Sequence, residues 1–341
     1  MATLSNRKLL QVVVAIVMTL VYFLRITDVG KAQTSALNSS QGDDADYALA
    51  KRESLDFFDD IPSSHWKLMK QKVADMSPNY NTWYLPHPGK AVPEDTRNAS
   101  PGFFYQNHYE PEFVCLHERS AYTYVSSYRL LLIVRIGKPG DGGKWICDPH
   151  RITQQEDCLV YSVGSNNDFS FEQAVLEHIG QHCEIHTFDF GNYAEGAAKL
   201  GFREHNGKKS PAVNYHKYGL GIEDGSSKFQ SLITVVNSLG HQNRVIDIFK
   251  IDCEGCEWTT ALEWFTAPIT LRQILVETHL SDVIKTPRFF DIIYENSYVI
   301  FHKEANIAYS GPRNMAMEFA LLKLSPEFHS GYNRAKGEAK Q

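Results

Sequence analysis

The chain has 341 residues, 43% of them hydrophobic and 22% charged, a balance that suits one large globular domain or two small ones and excludes disorder throughout. Its formal net charge of −6 offers no broad cationic surface for phosphates, so no nucleic-acid partner is expected.

The first feature is an apolar run at residues 9–24, polar only at Gln11 and Thr19, between Arg7-Lys8 and Arg25. It falls slightly short of the about 20 residues that span a bilayer, a shortfall that snorkelling flanks and a thin membrane absorb. Residues 1–30 therefore read as a cytosolic tip and an uncleaved transmembrane signal anchor. A signal peptide cleaved near Gly30-Lys31-Ala32 is the alternative, giving a secreted protein. The cations on the short N-terminal side keep it cytosolic and send the rest into the lumen, as in a single-pass type II protein of the Golgi or secretory pathway. Sequons at Asn38 and Asn98 agree with that topology.

Residues 31–107 are polar and turn-rich, as in Pro86-His87-Pro88-Gly89, and read as a lumenal stem. Within it Trp66, Met69, Lys70 and Val73 lie at helical spacing over 63–76, and Trp66 is expected to pack on the head. The head itself is expected at 108–330, followed by a polar tail at 331–341. An apolar run at 130–136 enters a glycine-dense loop, Gly137 to Trp145, that lacks the Gly-Lys-Ser/Thr ending of a phosphate-binding loop and reads as a plain turn.

Strand and helix patterns then alternate. Strands are predicted at 158–163, 183–188, 212–218, 245–251 and 272–277, and helices at 171–179, 194–200, 228–239, 258–265 and 286–296. Strands at 298–303 and 317–324 form a closing hairpin. This order predicts an α/β fold with a Rossmann-like, doubly wound, mostly parallel sheet and a C-terminal antiparallel hairpin. Six cysteines allow disulfides in a lumenal domain, with Cys147 and Cys158 as the first pair to test. Cys253 and Cys256 have the spacing of a redox or zinc motif but no second pair, so they read as bystanders of a buried strand.

In such sheets ligands bind beyond the carboxyl ends of the strands. The first strand ends at Ser162-Val163-Gly164-Ser165-Asn166, where Gly164 permits a tight turn and Asn166 offers amide hydrogen bonds. Asp189 follows the second strand, where an acid can accept both ribose hydroxyls, although it can equally cap a turn. The strand at 245–251 runs into Asp252-Cys253-Glu254-Gly255-Cys256-Glu257, and the next ends in Glu277-Thr278-His279. Glu257 as a first-turn helix acid and His279 as a satisfied structural histidine are the competing readings.

From residue 135 to 324 the sequence resembles class I S-adenosylmethionine-dependent methyltransferases of the FkbM-like and methyltransferase-like protein 24 type. The resemblance rests on Asp141-Gly142-Gly143-Lys144-Trp145-Ile146-Cys147-Asp148-Pro149, the Gly164 turn, the D-x-E-G-x-E run from Asp252 to Glu257, and the E-x-H ending at His279. It implies S-adenosylmethionine as cofactor, with Gly164, Ser165 and Asn166 lining its methionine portion, Asp189 its ribose, and Gly219 and Leu220 its adenine. Asp252, Glu254, Glu257, Glu277 and His279 would face the acceptor. Ser162 and Asp168 depart from the pattern, since many relatives carry an acid and a glycine there.

The expected activity is O-methylation of a sugar or other hydroxyl-bearing acceptor. His279 would act as general base and Asp252 or Glu277 would orient it, without a metal; the alternative is that those carboxylates bind a divalent cation that lowers the acceptor hydroxyl's pKa. A lipid, protein or small-metabolite acceptor, or an inactive lumenal interaction module with the same fold, is the alternative.

Overall fold

The computed structural model describes residues 46–83, 108–115, 134–223, 225–280, 285–309 and 315–329. The expected anchor at 9–24, both sequons, residues 130–133 and the tail at 331–341 lie outside them. Among the described residues no helix is long and apolar enough to cross a membrane.

In chain order the elements that matter here are helices α1 (Ala48–Glu53) and α2 (Ser63–Trp83), strands β1 (Val134–Ile136) and β2 (Lys144–Ile146), and helix α3 (Pro149–Thr153). Then follow β3 (Cys158–Val163), α4 (Ser170–His178), β4 (Cys183–Phe188), α5 (Ala194–Ala198), β5 (Phe202–His205), β6 (Lys208–Pro211), β7 (Asn214–His216), β8 (Gly219–Leu220), β9 (Phe229–Gln230) and α6 (Leu232–Leu239). The last third holds β10 (Val245–Ile246), β11 (Ile248–Ile251), α7 (Glu257–Trp264), β12 (Thr270–Leu271), β13 (Gln273–Leu280), α8 (Lys285–Glu295), β14 (Tyr298–Asn306) and β15 (Met315–Lys323).

A seven-stranded sheet runs in the order β14-β15-β13-β11-β3-β4-β7. From β7 to β13 the neighbours are parallel, and β15 pairs antiparallel with both β13 and β14. The expected mostly parallel α/β sheet with a closing antiparallel hairpin is what forms. Strand order reverses about β3, which has β4 on one side and β11 on the other, so the crevice for a ligand opens there.

Alternation along each strand feeds two cores. Val160, Ile185, Ile248 and Leu275 face α4 through Phe171 and Val175, while Leu159, Tyr161, Phe249, Ile274 and Val276 face α6, α7 and α8. The first core also takes in Phe57, Phe58, Ile61, Trp66, Met69 and Val73. Residues expected to be a stem thus share the core of the head.

Several boundaries differ from the sequence pattern. The predicted strand at 245–251 breaks at Asp247, whose carboxylate accepts the Leu159 N–H at 3.1 Å and pairs with Arg272 at 3.2 Å. The helix expected from 228 starts at Leu232, because the Ser231 side chain accepts the Thr234 N–H as an N-cap. Phe229–Gln230 pairs instead with Gly219–Leu220. The hairpin β5–β6, absent from the sequence reading, turns on Asn206-Gly207, both at positive φ (51° and 70°).

The Cys147–Cys158 pairing is corrected. Cys115 bonds Cys147, Cys158 bonds Cys183, and Cys253 bonds Cys256. Cys158 and Cys183 lie directly opposite each other at the starts of β3 and β4, a geometric proximity that linear spacing hides.

Candidate active site

The carboxyl ends of β3, β4, β11 and β13 open on a cleft of about 920 Å³. Its lining contains Gly164, Ser165, Asn166, Asp189, Gly219, Leu220, Asp252, Glu254, Glu277 and His279, so the ten residues singled out from separate loops meet in one place. Glu257 does not face the cleft as expected. It is fully buried at the start of α7, behind His279.

The turn after β3 shows why glycine is required at 164. Its φ is +76°, and a Cβ there would lie 1.8 Å from the Asp252 carbonyl oxygen. The Gly164 loop and the Asp252 loop are thus pressed together. Buried Lys250 reinforces the junction by donating from Nζ to the Gly164 carbonyl at 2.7 Å.

Asp189 holds the other side. Its Oδ2 accepts the Ser165 and Asn166 backbone N–H groups, both at 2.9 Å, and its Oδ1 accepts the Gly191 N–H at 2.8 Å. The capping reading of Asp189 therefore applies as well, and because a carboxylate oxygen accepts two hydrogen bonds, Oδ1 retains one for a ligand hydroxyl. Asp168, one of the departures, accepts the Ser170 N–H at 3.0 Å and pairs with Lys138 at 2.5 Å, pinning the β1–β2 loop to the start of α4. That loop, read as a plain turn, contributes Lys138, Asp141 and Gly142 to the cleft. Phe190 and Phe229 close the apolar end beside Leu220, their rings edge to face at 5.7 Å.

The acidic end is organised by Lys144, which is only 2% exposed. Its Nζ lies 3.6 Å from both Asp252 and Glu277 and hydrogen-bonds Glu318. Glu277 and Glu318 stand directly opposite each other on β13 and β15, an arrangement that repels unless it is neutralised. Burial and then the charges of Asp252 and Glu318 push the Glu277 carboxyl up to about 8, so it keeps its proton at neutral pH. Burial works the same way on Asp252, but Lys144 and Lys250 outweigh it and hold that carboxyl below the usual range. Asn306 donates to Glu277 Oε1 at 3.0 Å.

His279 sits among carboxylates. Its Nδ1 is 3.3 Å from Glu257 Oε1, which also accepts the His279 backbone N–H at 2.8 Å, and its Nε2 is 3.4 Å from Glu254 and 3.7 Å from Asp252. Burial alone would lower its pKa, but the hydrogen bond and charge of Glu257, with Asp252 and Glu277, raise it to about 9. The expected orienting role of Asp252 or Glu277 thus passes to Glu257. Glu257 combines the first-turn helix acid with this second duty by accepting the Gly255 N–H at 2.9 Å through its other oxygen.

Between Asp252 and Glu257 the loop is unusual. Glu254 has a positive φ (54°) and an 85% exposed side chain, and the Cys253–Cys256 bond closes the turn around it. These cysteines are therefore part of the site's scaffold rather than bystanders.

Lys144, Lys250 and Glu318 had no assigned role in the sequence. The available signal was a lone charge inside an apolar strand, as in Phe249-Lys250-Ile251, which must find a partner when buried.

Residues 48–323 match the Methyltransf_22 family, described as a methyltransferase domain. No curated protein matches the chain. Among solved structures, one from Thermoplasma acidophilum, provisionally described as a methyltransferase, is similar over 50% of this chain and 69% of its own. The identity is 12% and the TM-score 0.26, too slight a likeness to carry an argument.

Proposed function

Because the chain belongs to the Methyltransf_22 methyltransferase-domain family, we propose that it transfers a methyl group from S-adenosylmethionine to a hydroxyl oxygen of a sugar-type acceptor. The observation that carries this reading is the meeting of the Gly164 turn, Asp189 and the Asp252–His279 cluster in one cleft.

The residues present fit the cofactor. The volume of about 920 Å³ suits a cofactor with part of an acceptor, Phe190, Phe229 and Leu220 offer an apolar bay for adenine, and Oδ1 of Asp189 keeps an acceptor site for ribose. Gly164, Ser165 and Asn166 would line the methionine portion, with Gly219 beside the adenine. When bound, the cofactor supplies an electrophilic methyl group on a cationic sulfonium. Acids around the cleft favour that charge.

His279 Nε2, set between Asp252 and Glu254, is placed to take the acceptor's hydroxyl proton once it has given up its own. Protonated Glu277 can donate a hydrogen bond to the same acceptor, and Lys144 fixes the charges of both acids without lining the cleft. The buried Lys144 ammonium neutralises part of this acidic cluster without a metal, while Asp252, Glu254 and His279, and likewise Asp141, Asp252 and Glu277, stand close enough together to hold an ion as the second reading.

The sugar is supported by a lining that holds both aromatic side chains, Trp258 and Tyr309, and hydroxyl-accepting acids, Asp141 and Glu254. Pairing of all six cysteines supports an oxidising compartment, in keeping with a lumenal head behind a type II anchor or a cleaved signal.

Calorimetry with S-adenosylmethionine should give a saturable heat that Asp189→Ala weakens. No heat from the folded chain would sink the reading. Labelled cofactor with panels of glycans, lipids and peptides then tests the acceptor. Label found only in lipid or peptide would rule out a sugar, and an endoglycosidase-sensitive mass at Asn98 would support lumenal placement.

A further inference from the structure

At the end of the sheet away from the cleft, three metal-competent side chains converge beneath α6. On β4, Glu184 and His186 are two residues apart and so share a face, and His241 joins them from beyond α6. Glu184 Oε1 lies 3.1 Å from His186 Nε2 and 3.7 Å from His241 Nε2, and one ligand atom from each of the three residues lies within 4.8 Å of those of the other two. A tetrahedral centre with bonds of about 2.0–2.1 Å has ligand-to-ligand edges of about 3.4 Å, which these two distances bracket. The longer one exceeds the reach of a hydrogen bond.

The far side of every one of these groups is held. His241 Nδ1 is 2.7 Å from Tyr161 Oη, His186 Nδ1 is 2.9 Å from His216 Nε2, and Glu184 Oε2 accepts from Arg244 at 2.8 Å. Ring nitrogens fixed in this way are the usual outer partners of metal-bound histidines, setting which nitrogen is free for the ion. Both histidines are 5% exposed, so the group is not a solvated surface cluster.

We propose that Glu184 Oε1, His186 Nε2 and His241 Nε2 bind a zinc-class transition-metal ion, with water in the fourth position. In that state Nδ1–H of His241 donates to Tyr161 and Nδ1–H of His186 donates to His216. The ion ties β4 to the connection after α6 and so acts on the fold. The site is separate from the cleft and does not rest on the methyl-transfer reading.

The test uses the purified chain exposed to zinc ion and then desalted, with metal content read by mass spectrometry. The wild type and His279→Ala should each keep about one zinc per chain, and the double variant His186→Gln/His241→Gln less than about a tenth. Tyr161→Phe, which leaves all three ligands in place, should weaken zinc affinity about 10–100-fold. Less than about 0.1 zinc in the wild type, full retention by the double variant, or unchanged affinity in Tyr161→Phe would each overturn the proposal. If the double variant does not fold, X-ray absorption on the zinc-loaded wild type decides. Two imidazoles and a carboxylate support the site, and a sulfur shell or an all-oxygen shell overturns it.

Discussion

At His279 the surrounding carboxylates outweigh burial, so the imidazole holds its proton up to about 9, whereas a general base must first lose it. With the proposed chemistry, kcat/KM should therefore rise about tenfold per pH unit toward that value. His279→Ala should abolish the limb, and Glu257→Gln should move it to lower pH by removing the main group that raises it. A wild-type profile flat from pH 6 to 9 would exclude His279 as the base. Glu277 carries the corresponding consequence for stability. Its folded value of about 8 lies above the ordinary 4.5, so the unfolded chain ionises first, and folding loses stability as pH rises from about 4.5 to 8. Glu277→Gln, which keeps the shape of the protonated acid, should raise Tm at pH 8.5 and leave it unchanged at pH 4, as scanning calorimetry would show. Asp252, Glu277 and His279 were legible because they end strands within short motifs. Lys144 was not, since its partners come from β11, β13 and β15, and only the register of the sheet brings them together.

For whole elements, the test of the site is how tightly its loops pack. Gly164→Ala adds a methyl group 1.8 Å from the Asp252 carbonyl at a φ of +76°, so one loop must move away from the other. The expected cost is more than about 1 kcal/mol in chemical denaturation. The accompanying expectation is loss of cofactor binding, and a variant with wild-type stability and binding would show that the close contact is dispensable. Most strands and helices were readable from apolar periodicity, which reports what a buried face requires. Their ends were less so. Asp247 interrupts an apolar run because it is needed as an acceptor for the Leu159 N–H on a neighbouring strand, and that need is invisible along the chain. The Asn206-Gly207 turn, by contrast, carried its own local signal, and the hairpin around it was missed because its strands are short and largely polar.

Across the molecule, the N-terminal helices belong to the domain. Trp66 is fully buried against Phe58, Phe113 and Phe328, and its Nε1 donates to Glu53 at 2.8 Å. Trp66→Ala should cost about 3–5 kcal/mol by denaturant titration, whereas a tethered stem would tolerate it with little change. The polar, turn-rich character of residues 31–107 hid this because the buried positions are sparse and some of their partners lie about 270 residues away, as in the bond from Ser325 N–H to the Glu53 carbonyl. The same arrangement governs how the protein is made. During synthesis α1 and α2 emerge before any strand, yet their seat includes Ser325 and Phe328, which follow β15. β15 in turn must insert between β13 and β14, both already outside the ribosome. The nascent chain therefore carries an incompletely covered aromatic helix face through most of translation and, once β13 has emerged, an open sheet edge as well, and both are sealed by one late segment. Contacts this far apart in sequence slow folding in general and leave apolar surface exposed to aggregation until they close.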